Sequence, residues 1–459
     1  MDQVIIEQFK KLLGEENVLI ENDDLYCYSY DATQGIKTEF PDVVLFPSTT
    51  EQVSEIMKTA TKHKIPVYPK GAGTNLSGGT VPLNKGIVLS LLKMDKIIEI
   101  DTENHTCLCE AGVVIQDMDD AVAKFGLLYP PDPATVKTAT MGGSVAECAG
   151  GLRGLKYGVT KDYVMGVKVV LADGSIVKYG GKNIKDVSGF NMKAIFVMAE
   201  GMLGIVTEVL CKLVPRPEDR KAMMVTFSKL ETAAETIKAI IANKIIPATM
   251  EIMDNTCIKA VEEFSKIGLP VDAEALLLIE VDGWKETVER EAAKVIEVCN
   301  ACGADKVDVA QDMARREALW AARRAAIPAQ GRLRPSLILM DATVPRGELA
   351  GFLRAVQELS KKHNILCGNF GHAGDGNLHP TILCDVRDAD EMKRVDDFLS
   401  DMFDAALARN GTLSGEHGIG IAKAPYLPRQ FSPEEIGLMK KLKAAFDPDN
   451  LLNPGKMFV

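Results

Sequence analysis

The segment KGAGTNLSGG, residues 70–79, constrains the fold of this chain most, because it places four glycines directly after an apolar strand, IPVYP. A strand followed by a glycine-rich loop first suggests a Rossmann dinucleotide turn. However, Leu76 stands where G-x-G-x-x-G requires its third glycine, and the next residues, TVPLNKGIVLSLL, read as a strand. A Rossmann turn needs a helix there, with its N-terminus facing a pyrophosphate. Two interpretations are equally open: a nest of backbone N–H groups that holds a pyrophosphate, or an ordinary long hairpin.

The spacing of apolar segments divides the chain into three parts. Residues 41–215 alternate short apolar segments with turns rich in glycine and proline, whereas residues 216–410 alternate longer strands with longer helices. Strands and helices in this order predict a mainly antiparallel sheet covered on one face by helices. We therefore expect an α+β protein with domains at 1–215 and 216–410 and an irregular C-terminal segment at 411–459.

Two helix signals stand near the N-terminus. The first residues, MDQVIIEQFKKLLGEEN, predict an amphipathic helix rather than a signal peptide. Ser48 and Glu51 have the spacing of a capping box at the start of the helix TEQVSEIMKTATKHK.

Composition excludes several classes of protein. The chain carries 64 acidic and 53 basic residues, a net charge of −11, which argues against a nucleic-acid-binding surface. The apolar stretch AIFVMAEGMLGIVTEVL is interrupted by Glu200 and Glu208, so no membrane-spanning segment is expected. Ten cysteines without a signal peptide indicate reduced thiols and a cytoplasmic protein. The one C-x-x-C pair, Cys299 and Cys302, is too little for an iron–sulfur cluster.

Histidines are concentrated in two glycine-rich turns. His372 and His379 both lie in GHAGDGNLHP, residues 371–380, which could be a metal site, a phosphate cradle or a plain turn between strands. A chain reversal at Gly374-Asp375-Gly376 would let both imidazoles converge, so the turn and the metal site are compatible. Glu416 and His417, in GTLSGEHGIG, offer a further ligand. Two imidazoles and a carboxylate suit Zn²⁺, Fe²⁺ or Mn²⁺, and Asp375 could orient one imidazole.

A second glycine-rich segment, TMGGSVAECAGGLRGLKYGVTKDYV, follows the rigid turn YPPDP. Together with the first loop, with GVKVVLADGSIVKYGG and GMLGIVTE, and with the terminal LLNPGK, it resembles the vanillyl-alcohol oxidase/p-cresol methylhydroxylase family of flavoproteins. Within that family the chain is most similar to the FAD-linked D-2-hydroxy-acid dehydrogenases. The resemblance implies a p-cresol methylhydroxylase-type FAD-binding domain, a substrate-binding cap domain, and a C-terminal segment that completes the active site and returns to the FAD domain.

The resemblance also implies which residues bind FAD. The flavin is expected to be non-covalent, because no histidine lies between His63 and His105, where many relatives tether it. Cys148 could be a tether, but a small buried residue is the better interpretation. The expected FAD contacts are Lys70, Gly71, Ala72, Gly73, Thr74, Asn75, Gly78, Gly79, Pro131, Asp132, Met141, Gly142, Gly143, Ser144, Glu147, Gly150, Gly158, Gly201, Gly204, Ile205, Val206 and Asn453.

Active-site roles follow from the same resemblance. His372, His379 and Glu416 match the family's metal ligands, His417 its proton acceptor, and Arg323, in W-x-x-R, the arginine that binds the substrate carboxylate. The implied reaction is oxidation of a D-2-hydroxy acid, D-lactate or glycolate, to the 2-oxo acid. Electrons would then pass to a partner, an electron-transfer flavoprotein or an iron–sulfur subunit.

Three other functions stay open at this point. D-2-hydroxyglutarate could be the substrate, a non-redox enzyme like the alkylglycerone-phosphate synthases could use the same scaffold, or the chain could carry FAD without turnover.

Overall fold

The computed structural model describes residues 1–36 and 38–458. The strands in chain order are β1 Val18–Leu19, β2 Val43–Leu45, β3 Val67–Lys70, β4 Ile87–Ser90, β5 Ile97–Asp101, β6 Thr106–Glu110, β7 Leu127–Leu128, β8 Val164–Val170, β9 Ile176–Gly180, β10 Ile205–Lys212, β11 Val214–Pro215, β12 Asp219–Phe227, β13 Thr249–Asp254, β14 Ala275–Gly283, β15 Lys306–Val309, β16 Ser336–Leu339, β17 Ala342–Thr343, β18 Leu366–His372 and β19 Asn377–Cys384. The α-helices are α1 Gln3–Leu13, α2 Asn22–Tyr28, α3 Thr50–His63, α4 Ile115–Ala123, α5 Met141–Glu147, α6 Gly154–Tyr157, α7 Met192–Phe196, α8 Leu230–Ala242, α9 Asn255–Ser265, α10 Lys285–Cys302, α11 Met313–Arg324, α12 Ala326–Gln330, α13 Leu349–His363, α14 Ala389–Leu407, α15 Leu427–Gln430 and α16 Pro433–Phe446.

The chain divides into two compact units. Unit 1 comprises Met1–Ala149, Val159–Arg216 and Glu416–Val459, and unit 2 comprises Gly150–Gly158 and Pro217–Gly415. The short segment Gly150–Gly158 belongs to unit 2 because its side chains bond there. Lys156 Nζ donates to the Asp282 carbonyl at 2.6 Å, and the Tyr157 hydroxyl donates to the Asp282 carboxylate at 2.7 Å.

Unit 1 contains a four-stranded sheet, β1-β2-β4-β3, a five-stranded antiparallel sheet, β5-β6-β10-β8-β9, and the pair β11-β7. Apolar side chains of β2 and β4, among them Val43 and Ile87, are fully buried with residues of α1 and α3. Strands β3 and β4 pair in parallel, with Val67 opposite Ile87. The hairpin interpretation of loop 70–79 is therefore wrong, because a hairpin joins antiparallel strands.

The start of α3 differs from the expected capping box by one residue. Thr49, not Ser48, is the N-cap: its backbone is extended, and its hydroxyl accepts the Gln52 N–H at 3.2 Å. Ser48 donates instead to the Gln52 side-chain oxygen at 3.1 Å. Ser48 and Thr49 are both residue types that are preferred at the N-cap, and in the structure Thr49 occupies that position.

Unit 2 is built on an antiparallel sheet with the order β15-β12-β14-β13-β18-β19-β16, and β17 pairs with β19. Helix α10 packs against β12 and β14, α8 against the same two strands, and α13 against β18 and β19. The antiparallel sheet expected from the alternation of strands and helices is confirmed.

The C-terminal segment is not irregular, as the sequence suggested. It contains α16, in which Ser432 accepts the Glu435 N–H while the Glu435 carboxylate accepts the Ser432 N–H, with Pro433 at the first helical position. This capping box was overlooked because α16 has almost no apolar face: Leu438 is 69% exposed. Apolar periodicity, the signal that identified the other helices, is weak there.

Candidate active site

The two glycine-rich segments of unit 1 meet at residues too small to keep them apart. A Cβ atom at Gly71 would lie 2.4 Å from Oγ1 of Thr140, the N-cap of α5, and one at Gly142 would lie 2.6 Å from Cβ of Ala111. Such separations are far below van der Waals contact. Glycine at 71 is therefore required by the close packing of the two segments, and glycine at 142 by the close approach of α5 to Ala111.

Two further segments join this cluster. The Asn453 side-chain amide donates to the Gly79 carbonyl at 2.8 Å and to the Glu200 carbonyl at 2.7 Å. The Glu200 N–H donates to the Ala146 carbonyl at 2.9 Å. The structure thus brings together four of the expected FAD-binding segments, namely 70–79, 141–147, 201–206 and Asn453.

Loop 70–79 is folded by its own side chains. Asn75 Oδ1 accepts the N–H groups of Ser77 and Gly79 at 2.9 and 2.8 Å, and Thr33 Oγ1 accepts the Gly78 N–H at 2.7 Å. Lys70 is buried, donates to the Tyr28 carbonyl at 3.3 Å, and has its pKa lowered to about 8 by burial. The backbone N–H groups of residues 77–79 are therefore hydrogen-bonded to side chains of the protein.

Two buried polar atoms of the same cluster that can donate a hydrogen bond lack an acceptor among the described residues. They are Nδ2 of Asn75 and Oγ of Ser144, both on expected FAD-binding residues. A buried polar group without a partner costs about 1–3 kcal/mol, and such groups are rare unless a ligand or water satisfies them. These atoms fit a bound cofactor with polar oxygens.

The other expected FAD residues are distributed between the units. Gly150 and Gly158 lie in unit 2, whereas the remainder lie in unit 1. Ile205 and Val206 begin β10 and pair with β8, and Pro131 and Asp132 are buried. Cys148 is 5% exposed, in agreement with a small buried residue.

The two histidines of GHAGDGNLHP lie on neighbouring strands of a tight hairpin. His372 ends β18 and His379 lies in β19, with His372 opposite Asn377 and Phe370 opposite His379. His372 and Phe370 are two residues apart and share a face, so His379 shares that face as well. The two imidazole centroids are 5.0 Å apart. The expected reversal and convergence of the imidazoles are confirmed.

Glu416 is bonded through its peptide to Gly415, the last residue of unit 2. The Gly415 N–H donates to the Asp341 carboxylate at 2.7 Å, which fixes the chain at this point. One ligand atom from each of His372, His379 and Glu416 lies within 4.8 Å of the other two, and no other such group occurs in residues 1–36 and 38–458. This N,N,O donor set fits a divalent metal of the zinc, iron or manganese type.

His417 lies in a loop of unit 1 whose backbone is hydrogen-bonded to Glu200. The buried Glu200 carboxylate accepts the Ile419 N–H at 2.7 Å and the Gly420 N–H at 2.8 Å. Burial raises the pKa of the Glu200 carboxyl, although these two N–H groups oppose the rise. His417 Nε2 is 3.9 Å from Oε1 of Glu416. Sequence reasoning overlooked Glu200, which it used only to argue against a membrane segment.

The partner of His372 is Glu251, which sequence reasoning also overlooked. Glu251 lies in β13, and its Oε1 is 2.7 Å from Nδ1 of His372. Asp375, for which the sequence suggested such an orienting role, lies in the turn between the two strands, and that suggestion stays a prediction. The sequence did contain a signal for Glu251: in TMEIMD a glutamate stands between apolar residues of a strand, which indicates a buried carboxylate.

Arg323 is buried beside the same carboxylate. Its guanidinium Nη2 is 2.5 Å from Oε2 of Glu251, and its Cζ is 4.6 Å from the centroid of the Phe370 ring. Burial disfavours ionisation of Glu251, but the charges and hydrogen bonds of His372 and Arg323 outweigh it and hold the pKa of the carboxyl below its usual value.

Two neighbouring arginines are engaged elsewhere. Arg316 binds Glu280 at 2.8 Å, and Arg334 binds Glu391 at 2.7 Å.

The fold and the site define a class of protein. The chain superposes on the crystal structure of p-cresol methylhydroxylase with substrate bound at a TM-score of 0.80 and 20% identity, over 99% of this chain and 96% of the other. Residues 41–180 match the model of the FAD binding domain, and residues 216–457 match that of the FAD linked oxidases, C-terminal domain. This is a flavoprotein of the p-cresol methylhydroxylase fold.

The chain belongs to the family of FAD-linked oxidases and is an oxidoreductase. It is 48% identical to a glycolate oxidase subunit of Bacillus subtilis over 98% of this chain and 96% of the relative. It is 35% identical to a D-lactate dehydrogenase of Anaerostipes hadrus over 99% of this chain and 97% of the relative. Among the described residues, no helix has both the length and the apolar character to span a bilayer.

Proposed function

We propose that this chain oxidises a D-2-hydroxy acid, D-lactate or glycolate, to the 2-oxo acid. The observation that carries the proposal is the cluster of His372, His379 and Glu416, with His417 as the next residue. Hydroxy-acid oxidation needs a base and a hydride acceptor and is assisted by a Lewis acid, and this arrangement offers a base and the ligands for a Lewis acid. Two relatives that match nearly the whole chain carry the names of such enzymes.

Unit 1 would bind FAD through the cluster of glycine-rich segments. Asn75 and Ser144 offer buried polar atoms, and the loop backbone at 71–74 offers N–H groups to a pyrophosphate. The isoalloxazine ring supplies the hydride acceptor, which no side chain can supply. We propose that residues 1–215 bind FAD, 216–410 bind the substrate and 411–459 complete the active site. Within the first range, Gly150–Gly158 belongs to unit 2.

His372, His379 and Glu416 would hold the divalent metal. A bound Zn²⁺, Fe²⁺ or Mn²⁺ polarises the substrate hydroxyl and makes its proton easier to remove. The protein would contribute two imidazoles and one carboxylate as ligands. The Asp341–Gly415 hydrogen bond restricts the backbone next to Glu416.

His417 would accept the hydroxyl proton, because imidazole is an effective base near neutral pH. Glu200 restrains the loop after His417 and limits the reorientation that proton transfer would otherwise require. Arg323 would bind the substrate carboxylate through its planar guanidinium, with Arg324 as the alternative. Ten cysteines as free thiols support a reducing compartment, and we assign the reaction to the cytoplasm.

The reduced flavin must be reoxidised by an external electron acceptor. Cysteines in this chain do not have the four-fold spacing of a ferredoxin-type cluster. We therefore propose an electron-transfer flavoprotein or an iron–sulfur subunit as the acceptor.

A substrate panel with an artificial electron acceptor tests the proposed function. The FAD-loaded protein is assayed for dye reduction and 2-oxo acid with D-lactate, L-lactate, glycolate and D-2-hydroxyglutarate. We expect turnover with D-lactate or glycolate and none with L-lactate. Turnover of D-2-hydroxyglutarate alone would change the substrate, and no turnover with any hydroxy acid would contradict the proposal and favour a non-redox enzyme.

A further inference from the structure

Glu251 connects the two functional side chains of unit 2. It lies in β13 directly opposite His372 of β18, so the two side chains leave the same face of the sheet. The Glu251 side chain is only 1% exposed and touches His372 Nδ1 at 2.7 Å and Arg323 Nη2 at 2.5 Å. The carboxylate is thus shared between a proposed metal ligand and the proposed carboxylate-binding arginine.

We infer that Glu251 is a positioning residue: it fixes the hydrogen of the His372 imidazole on Nδ1 and so presents Nε2 to the metal. This inference rests on the metal centre proposed above. An ionised carboxylate only accepts hydrogen bonds, so the ring nitrogen that faces it must carry the hydrogen. In a neutral imidazole the other nitrogen then has the lone pair that a metal requires.

Arg323 makes this arrangement stable. A guanidinium only donates, so it occupies Oε2 of Glu251 and leaves Oε1 as the acceptor for His372. Its positive charge favours the ionised form of a carboxyl group that burial would otherwise disfavour. The Phe370 ring, two residues before His372 on β18, closes over the guanidinium.

The substitution Glu251→Gln changes the donor and the acceptor without changing the shape. Because Arg323 can only donate, the amide oxygen stays on Arg323 and the amide NH₂ turns toward His372. Nδ1 must then accept, which moves the hydrogen to Nε2, the nitrogen that the metal needs. We expect E251Q to invert the tautomer of His372.

Nitrogen-15 NMR of the histidine ring, in the metal-free flavoprotein at alkaline pH, measures this tautomer directly. His372 is assigned by comparison with His372→Gln. The matched control is Glu280→Gln, because Glu280 is also buried, lies in the neighbouring strand β14 and pairs with Arg316 of the same helix. We expect Nδ1–H in the wild type and E280Q, and Nε2–H in E251Q.

A hydrogen on Nε2 of wild-type His372, or an unchanged tautomer in E251Q, would overturn the inference. Should E251Q not fold, Glu251→Asp keeps the charge but withdraws the carboxylate by one methylene, and it should yield a mixture of tautomers. A pure Nδ1–H form in E251D would also count against the role of Glu251.

Zn²⁺ titration of the metal-free proteins separates this inference from the proposed function. We expect E251Q to bind Zn²⁺ about 10–100-fold more weakly than the wild type, and E280Q to bind it as the wild type does. Wild type that binds no Zn²⁺, Fe²⁺ or Mn²⁺ yet has the Nδ1–H tautomer and loses it in E251Q would contradict the metal centre alone. Tight metal binding by E251Q would contradict the positioning role alone.

Discussion

The Glu200 carboxylate accepts the backbone N–H of Gly420 at 2.8 Å across 220 positions of sequence. Its second oxygen accepts the Ile419 N–H at 2.7 Å. One buried side chain from the segment before Gly201 therefore restrains the loop that carries His417. Glycine is favoured at 418 too, because its φ of +82° lies in the left-handed region and a Cβ would lie 2.1 Å from Oε2 of Glu147.

Glu200→Gln should loosen this loop without emptying the flavin site. An amide has one acceptor oxygen, so one of the two N–H groups loses its partner, and we expect the unfolding free energy to fall by about 1–3 kcal/mol. Turnover should fall more than FAD content, since Glu416 and His417 lie in the affected loop. Glu208→Gln, at a partly buried carboxylate paired with Lys168, is the control. Equal loss of turnover in both variants would contradict a specific role for Glu200.

Gly71→Ala should reduce FAD binding. The added Cβ would lie 2.4 Å from Thr140 Oγ1, so the two glycine-rich segments must separate, with an expected cost of about 1–3 kcal/mol. The absorbance ratio of flavin to protein after purification measures the FAD content. Gly181→Ala is the control, because no heavy atom lies within 4 Å of its Cβ position. A G71A protein that binds FAD as fully as the wild type would show that close packing of the two segments at Gly71 is not needed for FAD binding.

Removal of one proposed metal ligand should lower turnover strongly and leave the flavin bound. In His379→Ala the donor set falls from three to two, and we expect metal content and turnover to fall at least about 10-fold. Metal analysis and FAD absorbance are measured on the same sample, with exposed His63→Ala as the control. A metal-free H379A that turns over normally would eliminate the metal from the reaction.

Lys456 should make the stability of the protein depend on pH. It is 1% exposed, donates to the Val81 carbonyl, and has its pKa lowered to about 7 by burial, although Asp31 and Glu200 oppose the shift. The unfolded chain then binds more protons than the folded one between pH 7 and the ordinary lysine pKa of 10.5, so stability rises with pH in this window.

The slope from this one group is at most about 1.4 kcal/mol per pH unit. Lys456→Met should remove that part of the slope, which urea unfolding at several pH values between 7 and 10 can measure. An identical pH dependence in wild type and K456M would show that Lys456 is not the titrating group.

The sequence predicted those parts of the site that depend on local structure. The hairpin at 366–384 follows from strand alternation around a glycine-rich reversal, and it alone determines that His372 and His379 face each other. The glycine loops were recognisable because close backbone approach leaves a compositional signature. The antiparallel sheet of unit 2 was recognisable because long strands alternate with long helices.

Contacts between distant segments were not predictable in the same way. Glu251 meets His372 across 121 positions of sequence, and nothing in TMEIMD names its partner. The assignment of Gly150–Gly158 to unit 2 depends on Asp282, more than 120 positions away. Two predictions failed for local reasons. The N-cap of α3 was misplaced because Ser48 and Thr49 can both cap a helix, and α16 was overlooked because its apolar pattern is weak.

The visible spectrum of the FAD-loaded protein under anaerobic conditions, before and after addition of D-lactate, tests the central claim most directly. Glycolate and L-lactate are measured in parallel, together with His417→Asn, which should retain the flavin but be reduced about 10²–10⁴-fold more slowly. We expect D-lactate or glycolate to bleach the flavin band of the wild type and L-lactate to leave it unchanged. A protein that contains FAD and is bleached by no hydroxy acid, or one in which H417N is bleached as fast as the wild type, would contradict the account.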